Sequence, residues 1–379
     1  MSYRKSILVG RQLSNGEVVT LPGDAHVLTI APSGVDRLRA AIIPNLLNYE
    51  GPAVVVDPTG EAYNATADAR RAMGQTVYRL DPCHVVGPES DAINPLDLLF
   101  LEGADADVEC QTVADFVIPR TSMKECAAFG LLSGVVGYLA SVPEKKGFGS
   151  VSETFTSDDV IYNLAVVLDT IGKRIPKLAY REIADFLRLP DAERSRILFT
   201  VNAKLKPYMP TEIVKALSKP AIPMDELVSG RPFTVYLIIP NDKLRSYSHL
   251  LRLWLQTLIT CQMRRRNPAA SRTLFLLDES AYFPMFPALE SAITHSREYG
   301  VQVWNFCQDI SQFRNMFPQS WPTVLNDSAV QLIRINEQFS TVAEAAALFG
   351  EKVETFRALG RDEQMVCQKG VCQKLAALD

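Results

Sequence analysis

The sequence predicts an α/β protein in which a parallel sheet, covered by helices on both faces, is interrupted by an all-α insert. Three observations carry that expectation. Short apolar runs alternate with helical segments up to about residue 100, no convincing strand follows from Asp105 to Lys219, and strands return at Pro232. Apolar runs without in–out alternation suit strands buried on both faces, and parallel strands need crossover helices between them. The predicted limits are 1–104 with 220–379 for a discontinuous sheet domain and 105–219 for the all-α domain. At 379 residues, 47% hydrophobic and 22% charged, the composition is that of a globular protein; disordered, collagen-like and coiled-coil classes are excluded.

The first strand is Val27–Ile30. Arg37–Asn48 then puts Leu38, Ala41, Ile42 and Leu46 at helical spacing, with a break expected at Pro44, which lacks the N–H a helix interior uses. Pro52–Asp57 is a second strand, followed by the turn Pro58-Thr59-Gly60. Glu61–Met73 reads as a helix closed by Gly74, and Thr76–Leu80 as a third strand. The insert shows helices near 107–117, 123–142, 158–171, 180–187 and 191–217, with 143–156 reading as a loop. Beyond it come a strand in Phe233–Pro240, a helix Leu244–Arg266, a strand Thr273–Leu277 and a helix Ala288–Tyr299. Strands Val301–Phe306 and Ala329–Ile333 and a helix Ser340–Phe349 complete the pattern.

The net charge of −4 excludes a strongly basic nucleic-acid binder, so any DNA contact is local, weak and salt-dependent. Seven scattered cysteines read as reduced thiols of a cytoplasmic protein. Only Cys367 and Cys372 are close, and their spacing fits neither a redox Cys-x-x-Cys nor, with four histidines in the chain, a zinc site. The N-terminus has no signal-peptide core. The uncharged run Ala127–Val142 falls short of the ~20 residues a bilayer helix needs. Its Gly130-x-x-x-Gly134 spacing reads as a buried helix packed closely on a neighbour.

Chemistry concentrates at strand ends. Leu274–Leu277 is followed directly by Asp278-Glu279, two acids at the carboxyl end of a parallel-type strand, where open sheets bind ligands. In ATP-hydrolysing P-loop proteins such acids hold Mg²⁺ and polarise the attacking water. The next strand ends in Cys307-Gln308-Asp309, and a glutamine there is placed to sense a γ-phosphate. Either feature alone is also an ordinary polar strand end; both at matching tips point to nucleotide-site ancestry. The phosphate loop such a site needs is Gly-x-x-x-x-Gly-Lys-Ser/Thr between strand and helix. The right context follows Val27–Ile30, where the residues are Ala31-Pro32-Ser33-Gly34-Val35-Asp36-Arg37-Leu38. Ala31 stands at the first glycine, Asp36 at the second, Arg37 at the lysine and Leu38 at the hydroxyl residue. The candidates are therefore Asp278, Glu279 and Gln308 at catalytic positions, and Ser33, Gly34, Asp36, Arg37 and Leu38 at degenerate phosphate-loop positions. No metal site is assigned.

In order along the chain, several blocks together resemble the type IV coupling proteins, the TraG/TraD-type conjugation ATPases. His26–Pro32 and Pro44-Asn45-Leu46-Leu47 resemble the family's first block, and Val54–Glu61 its Asp-Pro-Lys-Gly-Glu turn. Leu80-Asp81-Pro82 and Asn94-Pro95-Leu96-Asp97 resemble the next landmarks. Leu277-Asp278-Glu279, Ser296–Val301, Gln308–Gln312 and Asp362–Val366 match later blocks. The resemblance covers nearly the whole chain. It implies a RecA-like nucleotide-binding domain with an inserted all-α domain, and work in DNA or protein transfer beside a secretion channel.

The departures shape what is expected. Family members carry N-terminal membrane helices, and a soluble form without them is expected here, cytoplasmic or peripheral at the inner membrane through partners. The altered loop, together with Thr59 in place of the family's lysine, predicts that ATP hydrolysis is lost. ATP and magnesium are expected only if the altered site still works. The alternatives are an inactive scaffold or regulatory protein derived from the fold, and an active translocase using Arg37 in place of lysine. Expected partners are secretion or conjugation components or a true coupling ATPase, with a monomer or small oligomer favoured. Arg37 is expected to pair with Asp36 or Asp57. Arg264–Arg266 and Arg70-Arg71 read as solvated helix ends, and Arg297 as a structural ion pair before an arginine finger. Trp254, Trp304 and Trp321 read as packing residues, and His26 and His295 as structural residues.

Overall fold

The computed structural model describes residues 6–21, 25–33, 35–142, 147–218, 220–265, 271–282, 287–294 and 299–378. It divides into two compact units. The first comprises the chain up to Pro88, Leu227–Ser248 and Gln262 onward; the second comprises Glu89–Glu226 and His249–Cys261.

The first unit is built on an eleven-stranded sheet. The strands are β1 (Leu8–Arg11), β2 (Val18–Thr20), β3 (His26–Ile30), β4 (Ala53–Val56), β5 (Thr76–Leu80), β6 (Phe233–Leu237), β7 (Thr273–Leu277), β8 (Val301–Cys307), β9 (Ser328–Ile333), β10 (Glu363–Gln368) and β11 (Val371–Ala376). Their order is β2-β1-β11-β10-β9-β3-β8-β7-β4-β6-β5. From β9 to β5 every pairing is parallel, and the β2-β1-β11-β10 flank is antiparallel. The parallel strands β3, β4, β6, β7, β8 and β9 are buried throughout. This is why β4, β6 and β7 read as largely apolar runs. On one face Val27, Val55, Leu274, Leu276, Trp304 and Phe306 pack with Ala41, Ile42 and Leu46, and with Ala62 and Ala67. The latter sets lie on or beside α1 (Ile43–Asn48) and on α2 (Glu61–Ala72).

Pro44 leaves its mark ahead of itself rather than as a kink. Leu38–Ile42 is a π-helical turn, and the α-helical turns begin at Ile43 with Pro44 in the first turn, where its missing N–H is harmless. Gly74 closes α2 at φ 81°, in the left-handed region. Arg70 differs from its expected place at a solvated helix end. It is fully buried, and its guanidinium donates to the carbonyl oxygens of Leu46, Tyr49 and Gly51, to Thr234 Oγ1 at 2.8 Å and to Gln75 Oε1 at 2.8 Å. Helix α1 and the turn after it thus end on this side chain. A second buried polar chain ties β8, β3, β9, β10 and β1. Trp304 Nε1 donates to Thr29 Oγ1 (2.7 Å), which donates to Gln331 Oε1 (2.7 Å). Gln331 donates to Gln364, and Gln364 to the Val9 carbonyl (2.7 Å). His26 is buried, with Nδ1 accepting from the Val303 N–H at 2.9 Å.

The second unit is helical: α3 (Ala106–Val117), α4 (Met123–Ala140), α5 (Gly149–Thr156), α6 (Val160–Ile171), α7 (Lys177–Arg188), α8 (Asp191–Leu205), α9 (Thr211–Ala216) and the greater part of α11 (Ser248–Met263). Among the described residues from Asp105 to Ser218 no strand occurs. Two sequence expectations change here. The segment taken as loop contains α5, and the single helix expected over 191–217 is cut into α8, a 3₁₀ turn Lys206–Tyr208 and α9, because Pro207 and Pro210 cannot continue it. Helix α4 is the one described helix long and apolar enough to cross a membrane, and 72% of that window is buried. Its glycines face α7: a Cβ on Gly137 would stand 2.7 Å from Ala179 Cβ and 2.9 Å from Cys110 Sγ, and one on Gly134 would stand 3.2 Å from the Ala179 carbonyl. Backbone-to-helix approach this close is available only to glycine.

Between the units in sequence lies α10 (Met224–Val228). Helices α12 (Pro287–Thr294), α13 (Ile310–Met316), α14 (Trp321–Asn326), α15 (Phe339–Phe349) and α16 (Val353–Arg357) complete the first unit. Cys367 and Cys372, expected as free thiols, are joined by a disulfide across the β10–β11 hairpin.

Candidate nucleotide-type site

Strands β3 and β7 are separated by one strand, β8. The parallel register sets Ile30 beside Cys307 and Leu277 beside Asn305, and β4 follows with Val56 beside Leu277. The four carboxyl ends therefore form one row, and the segments leaving them are the phosphate-loop segment, Gln308-Asp309, Asp278-Glu279 and Asp57. Such a row of parallel strand ends is the ligand-binding edge of an open α/β sheet.

Arg37 reaches across this row. Its Nη2 lies 3.4 Å from Asp278 Oδ1 and pairs directly with Glu279 Oε1. The three side chains are only 11%, 13% and 15% exposed. Asp278 Oδ1 also accepts the Glu279 N–H at 2.9 Å, and Glu279 sits in the left-handed region at φ 51°. Burial pushes the Asp278 carboxyl up to about 6, against the pull of Arg37, while Glu279 and Asp57 add to the rise. Arg37 pairs with neither Asp36 nor Asp57, the partners expected from sequence. Asp36 turns outward: its Oδ1 accepts the Arg39 N–H at 3.0 Å, and its Oδ2 lies 3.2 Å from Arg39 Nε. Arg39 continues to Glu61 Oε1 at 3.2 Å. Asp57 is fully buried and faces the first turn of α2, where its Oδ2 accepts the Tyr63 N–H at 2.8 Å. Burial pushes this carboxyl up, and the N–H groups of Tyr63, Ala62 and Gly60 oppose the rise. The helix end that would favour an anionic ligand thus already holds a carboxylate of the chain.

The remaining candidates are placed as follows. Leu38 packs against the core cluster, so its side chain serves the sheet rather than a ligand. Ser33 is exposed in the loop. Gly34 lies outside the described residues, as do Arg266, His295 and Arg297. The Gln308 N–H donates to Gln312 Oε1 at 2.9 Å, and Asp309 caps α13 by accepting the Gln312 N–H at 2.7 Å. Trp254 and Trp304 are fully buried, and Arg314 stacks over Trp321 at 4.8 Å. Arg265 donates to Thr273 Oγ1 at 2.9 Å, which ties part of the Arg264–Arg266 cluster to β7. Among the described residues no group of three or more His, Cys, Asp or Glu is arranged to hold a metal ion.

Asp278 and Glu279 are engaged by the Arg37 guanidinium, and the residue at the hydroxyl position is a half-buried leucine packed against the core cluster. Sequence reasoning found Asp278, Glu279 and Arg37 but not their contact. It missed the Asp36–Arg39–Glu61 chain, although the i, i+3 spacing of Asp36 and Arg39 on a helix start is a visible signal.

The chain matches the family described as type IV secretory system conjugative DNA transfer over residues 3–348. It is 24% identical to a conjugal transfer protein TraG of Escherichia coli, over 89% of this chain and 60% of that protein. It is 25% identical to a VirD4 protein of Rhizobium rhizogenes, over 92% of this chain and 51% of that one. The chain thus spans about half to three-fifths of these relatives' length. The fold matches the plasmid coupling protein TrwB solved with a non-hydrolysable ATP analogue, with a TM-score of 0.69, 16% identity and coverage of 93% and 85%. It also matches a truncated TrwB solved with sulphate, with a TM-score of 0.71, 15% identity and coverage of 99% and 90%. With the family match running along 3–348, the chain belongs to the type IV secretory system conjugative DNA transfer family.

Proposed function

We propose that this chain acts as a coupling-protein component of conjugative DNA transfer in which the nucleotide pocket is closed from within and ATP hydrolysis is lost. The observation that carries this reading is the seat of Arg37 on Asp278 and Glu279. A guanidinium there neutralises the acids, takes the space of a metal ion and leaves no general base free to polarise a water. Two further features support it. Leu38 packs against the core cluster, and the Asp36 carboxylate, 54% exposed, is paired with Arg39. TrwB has been solved with ADP and Mg²⁺; in this chain the corresponding chemistry lacks its lysine, its hydroxyl and its free acids. Such a protein serves transfer by binding, as an adaptor among secretion components or beside an active coupling ATPase. It works at the cytoplasmic side of the inner membrane, as a monomer or small oligomer, and its own contact with DNA is weak and salt-dependent.

The test is ATP hydrolysis by the purified chain beside Glu279→Gln and the triple change Asp36→Gly, Arg37→Lys, Leu38→Thr. The reading expects background rates for the unaltered chain and for Glu279→Gln alike. Hydrolysis by the unaltered chain that Glu279→Gln abolishes would overturn it and make Arg37 a working substitute for lysine.

A further inference from the structure

The β10–β11 hairpin sits in the antiparallel flank, away from the strand ends that carry Arg37, Asp278 and Glu279. Its two strands are joined by Lys369-Gly370, both left-handed at φ 50° and 77°, which is the two-residue turn that matches strand twist. The register sets Cys367 directly opposite Cys372, one pair in from the Gln368–Val371 pair that flanks the turn, with the two joined by a disulfide. The turn geometry and register thus set the two sulfurs opposite each other. Cys367 is buried at 2% exposure, whereas Cys372 is half-buried and its neighbours Val371, Gln373 and Lys374 are exposed. On the outer side, the registered pairing of β11 with β1 among the described residues is Arg11 with Ala376, at the far end of the strand. The tip half of β11 is thus held by β10 and by the sulfur bridge. Of the other cysteines, Cys126 is exposed and Cys83 half-buried, so these two are open to labelling in either redox state, and the remaining three are buried. Burial pushes the Cys110 and Cys307 thiols up to about 12, and Cys261 is also buried.

We propose that Cys367 and Cys372 form a redox-responsive staple that orders the tip of this hairpin and with it the edge of β11. Cys372 is the more exposed of the two cysteines, and its sulfur is taken as the point of attack. A thiolate of a small dithiol attacks it, the S–S bond breaks, and Cys367 leaves as a thiolate that takes a proton. The second thiol of the reagent then displaces Cys372 in the same way. Two electrons pass from the dithiol, which ends as its own disulfide, to the protein, which ends with two thiols. Re-oxidation needs only a short search, because the two cysteines lie five residues apart across a two-residue turn. A six-residue closure from Cys367 to Cys372 removes little chain entropy compared with a long loop, so the effect is local to the tip rather than global.

The test uses the whole purified chain, oxidised and then reduced with dithiothreitol under native conditions. Alkylation followed by intact mass measurement should show two more modified thiols after reduction, mapped to Cys367 and Cys372. Hydrogen exchange at Val371–Lys374 should quicken at least tenfold in the reduced form, while exchange in β3, β7 and β8 stays unchanged. Cys372→Ser should exchange at the reduced rate with or without dithiothreitol. No change in label number, or equal exchange at the tip in both states of the unaltered chain, overturns the proposal. The comparison of the two redox states stands even if the variant fails to fold, and it is independent of whether the chain hydrolyses ATP.

Discussion

Arg37→Met keeps the buried stem of the side chain and removes the guanidinium, so it isolates the charge that joins Asp278 and Glu279. Removing one partner of a buried ion pair costs about 3–5 kcal/mol. Here proton uptake by Asp278 relieves part of the repulsion, so a loss of about 2–4 kcal/mol is expected at pH 7.5. The pH dependence carries the sharper information. The Asp278 carboxyl stands at about 6 in the folded chain, against an ordinary value near ~3.9. Its folded value is raised, so its contribution to stability is fully present below about pH 4 and is lost as pH rises through 6. Two pKa units correspond to about 3 kcal/mol. In Arg37→Met the cation that opposes this rise is gone, and the loss moves above pH 6. The destabilisation relative to the unaltered chain should therefore be small at pH 5 and grow steadily to pH 8. Denaturant midpoints at four pH values, read with hydrogen exchange in Ala31–Arg37 so that the sheet unit is followed specifically, measure it. A penalty that is flat from pH 5 to 8, or below about 0.5 kcal/mol throughout, would refute the view that Arg37 is what the two acids hold.

Arg70→Leu should destabilise the sheet unit by about 3–5 kcal/mol, because it strands the buried carbonyls of Leu46, Tyr49 and Gly51 that the guanidinium satisfies; chemical denaturation measures it, and an effect under about 1 kcal/mol contradicts the buried position. Gly137→Val should cost the helical unit about 1–3 kcal/mol or more by forcing α4 away from Ala179 and Cys110, whereas the same change at Gly147, where the nearest atom lies 3.9 Å away, should be far milder; thermal melts of the two variants make the comparison.

The parts of this fold that were legible in the sequence are those where burial is symmetric. Strands β3, β4, β6, β7 and β8 are buried along their whole length, so each reads as a mostly apolar run bounded by turn residues. Strands β1, β2 and β11 escaped because they are short, partly exposed and on the antiparallel flank, where polar residues such as Arg11, Gln373 and Lys374 interrupt the pattern. The acids of the site were legible because they follow an apolar strand directly. The partner of Arg37 was not, because it depends on which strands lie side by side: Arg37 and Glu279 are 242 residues apart, and only the order β3-β8-β7 brings their ends into one row. Arg70 was misread for a related reason. A cation in the last turn of a helix suits the dipole whether it faces solvent or core, and its five buried acceptors come from three separate segments.

The central claim, that the nucleotide pocket is occupied by the protein's own guanidinium, is tested most directly by calorimetric titration of the unaltered chain with Mg·ATP. Binding of Mg·ATP there requires Arg37 to leave two partly buried acids, Asp278 and Glu279, which opposes it. The account predicts no binding heat at about 100 μM nucleotide, where a working site with a micromolar Kd would be saturated. A saturable, magnesium-dependent heat with a micromolar Kd from the unaltered chain would contradict it.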